Sequence, residues 1–127
     1  MSLVNQTAQG IFMIAVIFEV EPTLAGKSEY LDIAAELREH LQDIKGFISI
    51  ERFQSLVDEN KVLSLSFWQD EQAIKEWRNL IEHRRAQNKG KNELFKNYRI
   101  RVATVDRDYG MSQREQAPLD SRQLLDK

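Results

Sequence analysis

Residues 11–20 read IFMIAVIFEV, apolar at nearly every position and rich in β-branched and aromatic side chains, which predicts a strand. Pro22 and Gly26 punctuate its end. The period then changes. Across residues 28–44, Tyr30, Ile33, Ala34, Leu37, Leu41 and Ile44 recur at the spacing of one helical face. Gly46 stops this helix, as a residue in left-handed conformation commonly does. Residues 47–56 (FISIERFQSL) and 61–69 (KVLSLSFWQ) predict two more strands, joined by the polar turn of Asp58, Glu59 and Asn60. So short a connection argues for an antiparallel hairpin. In the later strand Leu63, Leu65 and Phe67 share one face by alternation. Asp70 is placed to cap a second helix, because its carboxylate can accept the free N–H groups of the next turn. That helix runs to Asn88, carries Ala73, Ile74, Trp77, Leu80 and Ile81 on its apolar face, and ends at Gly90. Residues 92–96 predict one further turn, and residues 98–107 (YRIRVATVDR) a fourth strand.

The order β-α-β-β-α-β predicts an α+β, ferredoxin-like fold: four antiparallel strands with two helices on one face. Residues 1–10 form an N-terminal segment whose opening MSL reads as a cloning remnant, residues 11–110 the domain, and residues 111–127 a polar tail, aperiodic but for Leu124 and Leu125. The first strand adds a constraint. Phe12, Ile14, Val16, Phe18 and Val20 point one way, and Ile11, Met13, Ala15 and Ile17 the other. Both sets are apolar, whereas a sheet with one solvated face should alternate. Two helices cover one face, so a second copy of the chain is the simplest cover for the other, which predicts a homodimer packed sheet to sheet.

Composition removes several chemistries. The 127 residues contain no cysteine, which excludes disulfides, thiolate metal sites and cysteine nucleophiles. That absence fits a cytoplasmic location. Eighteen basic against twenty acidic residues leave a net charge of -2, with no footprint for nucleic acid or a membrane surface. The apolar run of residues 11–18 is far short of a membrane span of ~20 residues. The absence of a preceding Lys or Arg, with Glu19 and Glu21 following, argues against a signal peptide. An RNA-recognition domain shares this element order but needs a basic, glycine-bearing third strand, and VLSLSFWQ has neither. The histidines, His40 and His83, stand in no H-x-x-x-H or H-E-x-x-H pattern, so no metal site is expected. No G-x-S-x-G, P-loop or G-x-G-x-x-G occurs.

The stretch EWRNLIEHRRAQ holds the candidate chemistry. On a helix His83 lies about 120° around from Trp77 and about 9 Å along the axis. Trp77 is expected to face the sheet and His83 to sit on the flank of the buried stripe. Both can edge one cavity between helix and sheet. The competing reading is a core tryptophan followed by a solvated basic surface that includes Arg84 and Arg85.

The stretch LSLSFWQDEQAIKEWRNLIEHRRAQNKGKNELFKNYRIRVATV resembles the antibiotic biosynthesis monooxygenase domain family. The strand ending in FW, the W-x5-H helix, the G-x4-F-x2-Y connection and the R-x-R-V strand are similar to its small bacterial members, as are FEVEP and GFISIERF. The resemblance spans residues 11–109. It implies a dimeric α/β barrel with a pocket in each subunit between sheet and helices. Some members of the family oxidise polycyclic phenols or quinols with dioxygen and no metal or flavin; others degrade haem, isomerise or bind small molecules. Cofactor-free oxidation is chemically sensible, because a phenolate can itself give an electron to dioxygen. The protein then removes a proton, holds the substrate and excludes water.

On that resemblance His83 is the candidate base and Trp77 its catalytic companion. Phe67, Phe95 and Tyr98 are candidate walls for the substrate, and Arg78 or Arg84 a candidate oxyanion stabiliser. The expected substrate is a small aromatic, phenolic or quinol molecule with dioxygen, with no cofactor. The haem-degrading branch has an Asn in the first strand and a His one turn beyond the position of His83; here IFMIAVIFEV has no Asn and Gln87 stands at the second place. The alternative function is small-molecule binding or isomerisation without oxygen.

Overall fold

A computed structural model describes residues 6–7, 10–87 and 94–125 of the chain. The elements are β1 (Gln6–Thr7), β2 (Gly10–Ile11), β3 (Ile14–Pro22), α1 (Lys27–Leu41), β4 (Phe47–Gln54), β5 (Val62–Trp68), α2 (Glu71–Gln87), β6 (Phe95–Thr104) and α3 (Leu119–Leu125). From β3 to β6 the order is the expected β-α-β-β-α-β, and the four strands form one antiparallel sheet in the order β4-β5-β3-β6. This is the ferredoxin-like arrangement. β1 and β2 pair as a separate small ribbon.

Register fixes the two faces of the sheet. Val16 lies across from Ser66 and Val102, Phe18 from Ser64 and Ile100, and Val20 from Val62 and Tyr98. This face turns toward the helices. Ile14, Val16, Ile50 and Trp68 pack there with Leu41 and Ile44 and with Ala73, Ile74 and Trp77 of α2. At the other end of the same face, Val20, Tyr30 and Val62 form a second buried group with Phe18 and Phe95 against it. Leu63, Leu65 and Phe67 point away from the helices, together with Ala15 and Ile17.

The local signals explain most boundaries. Asp70 caps α2 as expected: its Oδ1 accepts the Ala73 N–H at 2.8 Å. α1 ends at Leu41, three residues before the expected end at Ile44, whose N–H instead closes a turn on the Leu41 carbonyl at 3.0 Å. Gly46 does adopt a positive φ of 99°. It serves the turn into β4 rather than a direct helix cap. A Cβ there would lie 3.1 Å from the Ala73 Cβ and 3.2 Å from the Asp70 Oδ2, so the connection runs tight against the start of α2.

Three differences from the expected elements have physical causes. The turn predicted for residues 92–96 gives way to strand from Phe95, because Phe95 pairs with Pro22 across a bulge and Thr23 donates to the Leu94 carbonyl at 3.0 Å. The fourth strand accordingly spans Phe95–Thr104 rather than residues 98–107. The expected polar tail contains α3, entered through Pro118, whose carbonyl accepts the Arg122 N–H at 3.0 Å. Seven residues give too few turns for a periodicity to be read. The predicted helix end at Asn88, the stop at Gly90 and the start of the turn at Asn92 lie outside the described residues.

Candidate functional site

The sheet and the two long helices enclose a cavity of about 130 Å³. Its floor is the helix-facing side of the sheet: Val16 and Phe18 of β3, Ser64 of β5, Arg52 of β4, and Phe95, Tyr98 and Ile100 of β6. Its roof is one stripe from each helix. α1 supplies Tyr30, Ile33, Ala34, Leu37 and Leu41, and α2 supplies Trp77, Arg78, Ile81 and Glu82. An apolar cavity of roughly 150 Å³ accommodates benzene, so this volume suits about one aromatic ring.

Aromatic rings build one end. Phe18 lies 5.9 Å from Phe95 and 5.8 Å from Tyr98, and Tyr30 lies 5.4 Å from Phe95, all edge to face. That geometry sets the positive ring edge against the negative ring face. Trp77 is 8% exposed and lies 5.5 Å from Trp68, ring to ring. It is therefore both core and cavity wall, and the two readings of it are not exclusive. The exposed lining residues, Arg78, Glu82, Tyr98 and Ile100, mark the mouth.

Few polar groups reach the interior. Ser64 is 1% exposed and Tyr30 6%. The Ser64 hydroxyl, the Tyr30 hydroxyl and the Arg52 Nε are buried with no hydrogen-bond partner among the described residues. Ser66, two residues along the same strand, is satisfied: it accepts the Trp68 indole N–H at 2.8 Å. Among the described residues no group of three or more His, Asp or Glu could hold a metal ion.

Of the residues singled out from sequence, Trp77, Arg78, Phe95 and Tyr98 line the cavity. Phe67 does not, because it pairs across from Ala15 on the opposite face of the sheet. His83 is exposed and outside the lining, one residue past Glu82 and about 100° further around α2. Arg84 is likewise outside and donates to Glu36 of α1 at 2.5 Å, tying the two helices together.

Arg52, Ser64, Tyr30 and Phe18 are not among the site candidates read from sequence, where Tyr30 and Phe18 stand only as positions on apolar faces. Reading the apolar Leu63, Leu65 and Phe67 as the informative face of β5 hid the serines opposite. One signal was available: Trp68 shares its parity with Ser64 and Ser66 and is 0% exposed.

A family model described as antibiotic biosynthesis monooxygenase matches residues 13–89. The jasmonate monooxygenase ABM of Pyricularia oryzae is 43% identical over 93 residues, 73% of this chain and 43% of that protein. The uncharacterised protein YqjZ of Bacillus subtilis is 34% identical over 65 residues, 51% of this chain and 55% of that protein. The chain thus spans about half the length of the curated relatives it matches. Among solved structures, SnoaB of Streptomyces nogalater, a cofactor-independent oxygenase, superposes with a TM-score of 0.59 at 12% identity, covering 76% of this chain and 95% of that one. A protein of Mycobacterium tuberculosis gives 0.60 at 19%, covering 79% and 99%. At these identities the structures speak for the fold. The family-model match over most of the domain decides the family, and the chain belongs to the antibiotic biosynthesis monooxygenase domain family.

Proposed function

We propose that the chain is a monooxygenase that oxidises a small aromatic, phenolic or quinol substrate with dioxygen and without a cofactor. The observation that carries it is the aromatic-walled cavity between sheet and helices, in a chain 43% identical to a protein named as a monooxygenase. Trp77, Phe95 and Tyr98 hold the ring, and Arg78 at the mouth stabilises the oxyanion formed when the substrate loses its proton. His83 acts as base from the flank of α2, on a substrate whose reacting hydroxyl projects from the mouth beside Glu82.

Oxygen uptake with a panel of hydroquinones, anthrones and flavonols tests this. Uptake that the Trp77→Phe and Arg78→Ala variants reduce supports it. No uptake by the folded wild type with any member of the panel removes it. A second reading, binding or isomerisation without oxygen, draws on one observation: among the described residues no histidine lines the cavity. It expects saturable ligand binding with no oxygen consumed.

Assembly as a homodimer belongs to the same proposal. Leu63, Leu65, Phe67 and Ile17 are only half-buried on the sheet face away from the helices, and a second copy is the cover we assign to them. A soluble, cytoplasmic setting is part of the proposal too; no helix among the described residues is long and apolar enough to cross a membrane.

A further inference from the structure

One row of the sheet crosses the whole cavity floor. Arg52 pairs with Ser64, Ser64 with Phe18, and Phe18 with Ile100, and all four line the cavity. The row runs from a cation through a hydroxyl to two apolar side chains. At its polar end the Arg52 Nε and the Ser64 Oγ are buried and unpartnered among the described residues. Among the described residues Arg52 makes no ion pair there either. Burying donors without acceptors is costly, and a charged donor more so than a neutral one.

We propose that this row is an acid subsite. The cavity takes a monoanionic organic acid, its carboxylate held by Arg52 and Ser64 and its apolar body lying along Phe18 toward Phe95. This deepens the reading above and rests on the cavity being where a small apolar-bodied molecule binds. A carboxylate is the fitting anion for three reasons. The guanidinium is a planar fork that matches two carboxylate oxygens. The Ser64 hydroxyl adds one rotatable donor beside it. Among the described lining residues Arg78 and Glu82 stand together at the mouth, which leaves Arg52 as the cation at the polar end of the row, suited to one negative charge.

The test compares matched pairs of probes: phenylacetate with phenylacetamide, and trans-cinnamate with cinnamamide. Each pair keeps shape and changes only charge. Binding is followed by calorimetry and by tryptophan fluorescence, since Trp77 lines the cavity. In the wild type at neutral pH each acid is expected to bind roughly tenfold or more tightly than its amide. Arg52→Met is expected to abolish that preference while leaving amide affinity in place, and Arg52→Lys to restore part of it. Thermal unfolding checks that the variants fold; should Arg52→Met fail to, the wild-type comparison decides alone. Equal binding of acid and amide by the wild type overturns the acid subsite and leaves the cavity reading standing. So does an acid preference that survives Arg52→Met. Failure of every probe to bind the folded wild type overturns the subsite and the cavity reading together.

Discussion

Trp68 donates its indole N–H to the hydroxyl of Ser66 at 2.8 Å inside the core. Ser64, on the same face of the same strand, is equally buried but has no partner among the described residues. The two serines should therefore respond oppositely to truncation. Ser66→Ala leaves a buried indole N–H unsatisfied and is expected to cost about 1–3 kcal/mol. Ser64→Ala removes a hydroxyl that has nothing to lose and is expected to be near neutral or stabilising in the ligand-free protein. Urea titrations of both variants check the pair. Equal losses would mean that the Ser64 hydroxyl is satisfied in solution.

Trp77 combines two roles that its sequence context left as alternatives. Its contact with Trp68 and its 8% exposure make it core, and its place in the roof makes it a wall. Trp77→Ala is expected to destabilise by about 3–5 kcal/mol, the usual range for deleting a large buried aromatic side chain. Trp77→Phe keeps an aromatic surface and should remain folded while losing affinity for aromatic ligands. Chemical denaturation together with ligand binding separates the effects. Unchanged binding in the folded Trp77→Phe variant would reduce this residue to core packing.

His83 is the sharpest test of the proposed mechanism, because it lies outside the cavity lining. Removal of a general base lowers rate by about 10²–10⁴-fold. On any substrate that supports oxygen uptake, His83→Ala is expected to fall by at least the lower of these factors. A smaller effect would move proton removal to a group that does line the cavity, with Glu82 and Tyr98 at its mouth the next variants to measure.

The fold was legible because its signals are local and repeated. The 3–4 spacing from Tyr30 to Leu41, the alternation in β5 and the Asp70 cap each point to one element, and their order leaves little choice of topology. The site was half legible. Trp77 announces itself as a large aromatic on the apolar stripe of α2, and Phe95 as one at the start of a strand. Arg52 and Ser64 do not, since an arginine in FISIERFQ and a serine in VLSLSFW read as outward positions until register shows that both face the helices. Which face of a two-sided sheet the helices cover is a tertiary fact. β5 has leucines on one side and serines on the other, and the side with serines is the one packed inward. α3 escaped for a different reason: seven residues without an apolar stripe carry no period.

The same two-sidedness yields a prediction about assembly. On the face away from the helices, Phe67 lies across from Ala15, Leu65 from Ile17, and Leu63 from Phe53, which is 42% exposed. A charge placed in this stripe faces solvent in an isolated chain but would be buried in a sheet-to-sheet dimer, where an unpaired charge is poorly tolerated. Leu65→Glu is therefore expected to shift the protein from dimer to monomer in sedimentation velocity, with circular dichroism showing that secondary structure is kept. The helix-side core, built on Trp68, Ile74 and Trp77, does not include Leu65 and should survive the change. A wild type that sediments as a monomer across the micromolar range would remove the dimer from the proposal. The half-buried leucines would then be ordinary exposed hydrophobes of the sheet.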